Sequence, residues 1–223
     1  MPILSLALLL APPAAAATTA EFRAGLANTS GWEEVARKQV DDVGEILIRH
    51  KVIGGTDCLE GSATAAVSPD ILLTISYDIP GQPGWSSWKV PVSATLKKTG
   101  SELDYYQVLD NPPPIADRYW FLRGSYGRQG DDRVFTWELV DPVTTWPAAL
   151  AEVKARFPDA VMTAVNVGDW TFTPVGGQTR IRYRICTDAG GNIPRWVGEI
   201  AAKSTLPTNI ADAVKEAKKR ASK

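Results

Sequence analysis

From Leu103 to Thr187 the chain mostly alternates apolar and polar residues with a period of two, as half-buried β-strands do. Leu103 to Leu109 and Tyr119 to Tyr126 read as strands, and Gly127, Gly130 and Asp131 mark the turn into Val134 to Val140. Phe135, Trp137 and Leu139 share one face there. Trp146 to Phe157 reads as a short helix. Val161 to Val167 and Asp169 to Thr173 return to alternation, the second placing Trp170 and Phe172 together. Thr179 to Thr187 is the clearest strand: Ile181, Tyr183 and Ile185 point one way, Arg180, Arg182 and Arg184 the other.

Upstream, Ser30 and Glu33 have capping-box spacing before Trp32, Val35, Ala36 and Val40, which predicts a short helix. Glu45 to Val52 reads as a strand, Gly54-Gly55 as a turn, and Leu59 to Val67 as the next alternating run. Ser68-Pro69-Asp70 starts a second helix with Ile71, Leu72 and Ile75 on its apolar face. Pro80, Gly81, Pro83 and Gly84 form a loop presenting Trp85 and Trp88. The chain ends in a helix: Pro194 suits a first turn, Asn192 its cap, and Val197, Ile200, Ala201 and Ser204 line one side. Pro207 should kink or restart it before Ile210, Val214 and Ala217. The predicted class is α+β: a curved antiparallel sheet whose one apolar face is covered by a single long C-terminal helix. Where the sheet curls more than the helix fills, a cavity remains.

The first residues differ in kind. Ile3 to Leu10 is apolar, followed by Pro12-Pro13 and Ala14 to Ala17, the layout of a secretory signal, although no Lys or Arg precedes the run. We therefore expect residues 1–17 to be a signal peptide, residues 24–223 to form one domain, and the protein to be exported and soluble.

Composition narrows the chemistry. Lys+Arg total 24 against 25 Asp+Glu, which excludes a globally basic nucleic-acid footprint. The 2 cysteines and 1 histidine exclude a four-cysteine zinc site and chemistry that needs paired histidines. No Gly-x-Ser-x-Gly elbow or Gly-rich phosphate loop is present. The 8 tryptophans suit a large apolar interior or pocket.

Three stretches carry a family resemblance. Pro113 to Arg123 resembles the strand entry of START lipid-binding domains, within the Bet v 1-like helix-grip (SRPBCC) superfamily. Gly168 to Pro174 with Thr179 to Tyr183 is similar as well, and the most specific element is Thr187-Asp188-Ala189-Gly190-Gly191-Asn192-Ile193-Pro194-Arg195-Trp196-Val197 before the last helix. In it the glycine pair reverses the chain into the helix, so the motif marks the fold and is not catalytic. The resemblance covers roughly residues 28 to 220 and implies a bacterial-type exported member. It implies one lipid or other apolar molecule held between sheet and last helix. Carried onto this chain, the wall would be Trp120, Leu122, Phe135, Trp137, Trp170, Phe172, Ile181, Tyr183 and Ile185, with Val197, Ile200, Ala201 and Ile210 from the helix. Taken one at a time, these residues are equally what a packed core requires.

Other residues read more plainly. His50 shares the face of Ile46 and Ile48 and reads as a satisfied core or rim histidine. Asp104 and Arg123 fit surface positions better than the interior acid–base pair of some sterol-transfer members. The stripe Arg180, Arg182, Arg184 and the basic residues from Lys215 to Lys223 read as solvated faces, the latter able to touch anionic headgroups. Asn28-Thr29-Ser30 matches a glycosylation sequon but fits a helix cap. Pro207 and the Gly127 to Asp132 turn are candidate mobile points. Cys58 and Cys186 both fall on the polar sheet face, yet the strand order implied by the family sets Glu45–Val52 between them and predicts two free thiols. The function expected is non-enzymatic binding, with transfer, of a hydrophobic small molecule by a monomer without cofactor or metal, touching membranes transiently and not nucleic acid. The alternatives are a cyclase- or hydrolase-like enzyme of the same superfamily and a ligand-free envelope accessory protein. The exported product should begin near residue 17 or 18, read by intact mass; a cytoplasmic product that keeps Met1 would reject export.

Overall fold

The computed structural model describes residues 17–191 and 195–222, with side chains in the last helix described from Ser204 onward. Alternation fixes the strands, and glycine pairs close two of the hairpins. Gly54-Gly55 (φ 56° and 80°) and Gly176-Gly177 (φ 55° and 79°) sit in the left-handed region that a two-residue turn of this hand requires. The chain runs α1 (Thr19–Ala27), β1 (Glu33–Val40), β2 (Gly44–Ile53), β3 (Thr56–Ala65), α2 (Pro69–Tyr77), a 3-10 turn (Gln82–Gly84), β4 (Val92–Thr99) and β5 (Glu102–Leu109). It continues with β6 (Arg118–Gln129), β7 (Asp132–Leu139), α3 (Pro142–Thr145), α4 (Pro147–Arg156), β8 (Val161–Met162), β9 (Val165–Val175), β10 (Gln178–Asp188) and α5 (Arg195–Ala221).

The strands form one 10-stranded sheet in the order β1-β2-β3-β10-β9-β7-β6-β5-β4, with β8 joined to β6. All pairs are antiparallel except β6–β8. Its inner face packs on α5 and α2: Ile46, Ile48, Phe172 and Ile181 meet Leu206, Ile210 and Val214 of α5 and Leu72 and Ile75 of α2. Gly61 sets the approach of α5, because a β-carbon there would collide with Leu206 and Ile210. The α+β architecture expected from the pattern, and the helix-grip fold that the resemblance implies, are the ones observed.

The outer face is covered in two patches. Helix α4 seats Leu150 and Val153 on Tyr106, Val108, Tyr119 and Phe121. Helix α1 seats Phe22 and Leu26 over Ile53, Val167, Cys58 and Cys186. The α4 patch explains why β5 is buried at nearly every position and shows no alternation in burial.

Several expectations are corrected. Residues 33–40 form an edge strand rather than a helix, since β2 offers a free edge and Glu33 to Val40 pairs along it. The capping box lies earlier: Thr18 caps α1, with Glu21 returning the bond. Val92–Thr99, not read as a strand, pairs with β5. Helix α5 continues through Pro207. The cap expected at Asn192 lies outside the described residues.

The cysteines are joined, against expectation. With β1 on the far edge of β2, the last strand pairs with β3, and Cys186 stands directly opposite Cys58. Their Cα atoms are 4.1 Å apart and the disulfide is fully buried under α1. The borrowed strand order failed because it left out the extra edge strand. Denaturing thiol titration without reductant should find no free thiol. Reduction should lower unfolding stability by roughly 2–5 kcal/mol, measured by denaturation with and without reductant; two titrating thiols in the native oxidised protein would refute the bridge.

Candidate functional site

Five of the expected wall residues form a chain of rings on the inner face. Phe135 and Trp137 lie 5.8 Å apart, Trp137 and Tyr183 5.7 Å, Trp170 and Tyr183 4.1 Å, and Trp170 and Phe172 5.7 Å. Register explains the assembly: Phe135 opposes Trp170, which opposes Tyr183, while Phe172 opposes Ile181. Residues directly opposite on neighbouring strands share a face. Tyr105 extends the chain, 6.5 Å from Phe135. Leu122, Ile181 and Ile210 are buried against it, and Trp120 and Ile185 are half-buried. The side chains of Val197, Ile200 and Ala201 lie outside the described residues.

Burial is uneven along this face. Lys218 near the end of α5 bonds Asp42 in the turn before β2, while Leu206 and Ile210 sit at Gly61. The helix therefore runs from the β2–β3 turn end of the sheet toward the β1–β2 turn. Under its second half Ile46, Ile48, Ala63, Ala65 and Phe172 are buried. Toward its first half Leu59, Ile185, Leu139 and Trp120 are only partly covered.

Polar groups on this face are mostly paired, the Asp212 carboxylate among them. Trp137 Nε1 donates to Asn166 Oδ1 (2.9 Å), and Trp120 Nε1 to Gln107 Oε1 (3.0 Å). Gln107 reaches Gln82 and Ser93 Oγ in turn. Asn209 of α5 accepts from Trp88 Nε1 (2.9 Å), and Asp212 accepts from Ser87 N and Oγ. Burial pushes the Tyr105 hydroxyl far up from its ordinary pKa, and the neighbouring Tyr183 adds to this. Burial also raises Tyr183, partly opposed by a hydrogen bond from Asn209. Both remain protonated hydroxyls across the biological pH range.

The remaining candidates fall outside the aromatic wall. His50 Nε2 lies 2.7 Å from Asp57 Oδ1 at the strand ends, its side chain 31% exposed, so the histidine has the partner that the sequence did not reveal. Asp104 and Arg123 pair at 2.8 Å on the outer face, where Asp104 is buried rather than at the surface and only Arg123 is exposed. The arginine stripe is not fully solvated: Arg184 lies under α1, bound to Asp169 at 3.0 Å and to the Leu26 carbonyl. Lys218, Lys219 and Arg220 pair with Asp42, Glu216 and Asp78. Asn28 caps the end of α1. Arg118, given no role by the sequence, is buried and donates to the carbonyls of Ala116, Ala189 and Gly190, tying down the glycine pair that leads into α5. Among the described residues no group of three or more His, Cys, Asp or Glu side chains could hold a metal ion, and no helix is long and apolar enough to cross a membrane.

Sequence reasoning missed Tyr105, Gln107, Asn166, Leu59 and Asn209. Leu59 was readable from alternation, but β5 buries both faces, so period gives Tyr105 no side. Asn166 and Asn209 are polar residues whose role depends on Trp137 and Trp88 arriving from other elements. Two surface clefts, of about 180 Å³ between α1 and the β6–β7 hairpin and about 730 Å³ beside the β9–β10 turn, are not lined by these aromatic side chains.

No family model matches the chain. An uncharacterized protein of Pseudomonas aeruginosa is 29% identical over 103 residues, which cover 46% of this chain and 46% of that protein, so the match spans about half of the relative. Human StAR-related lipid transfer protein 5 superposes with a TM-score of 0.69 at 15% identity, over 90% of this chain and 93% of that one. A STAR-related lipid transfer protein of Xanthomonas axonopodis gives 0.64 at 20% identity, over 84% of this chain and 98% of that one. The Zhui aromatase/cyclase of Streptomyces sp. R1128 gives 0.51 at 13% identity, over 74% and 94%. The fold is thus the helix-grip fold of START domains.

Arg123 beside Asp104 holds that carboxyl below its ordinary value of 3.8, against the opposing cost of burial. A depressed carboxylate stabilises the fold above its unfolded pKa and loses that contribution as pH falls through its folded one. Asp104→Asn should therefore cost about 1 kcal/mol or less near neutrality, Arg123 being half-exposed, and the difference from wild type should vanish in acid. Urea titrations at several pH values measure it, and an unchanged difference at low pH would contradict the pairing.

Proposed function

We propose that the chain is a non-enzymatic binding and transfer protein for one hydrophobic molecule, held between the inner sheet face and the first half of α5. The observation that carries this reading is the uneven burial of that face. Large apolar side chains, Trp120, Leu139, Ile185 and Leu59, stay partly uncovered at one end of the aromatic wall, whose Trp170 is also only partly buried. Apolar surface of this kind binds a lipid chain through the hydrophobic effect, about 0.8 kcal/mol for each methylene removed from water. The fold shared with lipid transfer proteins of human and Xanthomonas axonopodis supports the same reading. Entry requires the lead into α5 to move, and Arg118 is the latch that holds it.

Export fits this role. The Ile3 to Ala17 pattern and a buried disulfide both suit an oxidising compartment. A monomer that shuttles a lipid would touch membranes only transiently. The cyclase reading, suggested by the Streptomyces neighbour, would have to use His50 and Asp57, which stand at the strand ends away from the rings.

Native mass spectrometry with organic extraction of the purified protein should detect a co-purifying apolar molecule. Trp137→Ala should weaken binding of a fluorescent lipid at least about tenfold while the protein stays folded by circular dichroism, the truncation itself costing roughly 3–5 kcal/mol of stability. Stability loss without any binding defect would overturn the site.

A further inference from the structure

On the outer sheet face, away from the aromatic wall, we infer that the cleft between α1 and the β6–β7 hairpin is a site for a small free carboxylate held by Arg182. The cleft measures about 180 Å³, and Arg23, Arg182 and Arg184 line it. Two of these cations are already neutralised: Arg23 holds Glu138 at 2.8 Å, and Arg184 holds Asp169 at 3.0 Å. Arg182 holds no carboxylate among the described residues; its Nη2 donates to Thr171 Oγ1 at 3.3 Å, and its Nε is buried without a partner. Thr171 is itself buried, and its hydroxyl donates onward to Asp169 Oδ1. Buried donors in folded proteins are nearly always paired, so an orphaned one points to a missing acceptor.

The other arginines show what that acceptor is. Arg37, Arg123, Arg133 and Arg184 each grip a carboxylate with Nε and Nη2 together. The same edge of Arg182 meets a hydroxyl on one nitrogen and nothing on the other. Register sharpens the contrast: Arg184 opposes Asp169, whereas Arg182, on the same strand face, opposes Thr171. One neutral oxygen stands where the neighbouring row has a two-oxygen anion. A carboxylate from solution completes the row once the Arg182 head turns from Thr171 into the cleft, and two charge-assisted bonds in the fork geometry outweigh the hydroxyl contact they replace. Asp132 also lines the cleft and has no ion pair among the described residues; it lies two positions before Val134, which opposes Thr171. Its field disfavours a doubly charged ligand, so a monocarboxylate suits the one unpaired guanidinium there. The volume is below the roughly 300–1,000 Å³ of pockets for drug-sized ligands, which limits the ligand to a small acid.

The test follows the arginine Nε–H resonances by proton–nitrogen NMR while acetate, phosphate or chloride is added at neutral pH and constant ionic strength. The Arg182 resonance is identified by its loss in Arg182→Gln. Acetate should move it saturably, with a midpoint at least about tenfold lower than that of chloride, which offers no second oxygen to the fork. Thr171→Asp, which copies the Asp169–Arg184 row, should move the resonance without any ligand and abolish its response to acetate. Arg182→Gln should keep the wild-type circular-dichroism spectrum and bind a fluorescent lipid within about twofold of wild type, because the cleft and the inner face lie on opposite sides of the sheet. An Arg182 resonance that ignores acetate, equal responses to acetate and chloride, tighter binding of phosphate than of acetate, or an unchanged acetate midpoint in Thr171→Asp would overturn this site. None of those results bears on lipid binding, and a wild-type protein that binds acetate but no lipid would overturn only the inner-face reading.

Discussion

A sheet of ten strands with one continuous apolar face must hide that face, and α5 is the element that does so. The contact is close at Gly61, where the missing side chain lets Leu206 and Ile210 rest on the backbone of β3. From that point the helix direction is fixed by Lys218 at Asp42, and everything on the inner face is sorted by its distance from the contact. Side chains under the second half become core. Those toward the first half keep part of their apolar surface, and the aromatic wall spans the transition.

The outer face solves the same problem with shorter pieces. Helix α4 hides the aromatic and aliphatic side chains of β5 and β6, and α1 hides the disulfide between β3 and β10. Placing the bridge there has a structural logic. It ties the N-terminal hairpin to the last strand at their shared border, one strand pair from the Asp169–Arg184 ion pair that α1 also covers. The disulfide is thereby kept off the face that packs α5.

Indole N–H groups on the inner face are held in neutral pairs. Trp137 with Asn166, Trp120 with Gln107, and Trp88 with Asn209 each satisfy an indole N–H without bringing in an ion. Against that background Trp85 Nε1, buried without a partner, stands out.

Local pattern by itself determined much of this protein. Period-two alternation located β6, β7, β9 and β10, put Phe135, Trp137, Trp170, Phe172, Ile181 and Tyr183 on one face, and put both cysteines on the other. The glycine-rich lead to α5, with the apolar stripe of Ile210, Val214 and Ala217, indicated a long final helix over that face. What lies between elements was decided only in three dimensions. Whether residues 33–40 became helix or strand depended on the open edge of β2, because an eight-residue segment has too little intrinsic preference to resist a ladder of hydrogen bonds. That edge strand then decided the neighbour of β10, and with it whether Cys58 and Cys186 could meet. Tyr105 was invisible for the same kind of reason: covered on both sides, β5 carries no alternation in burial that would assign it to a face.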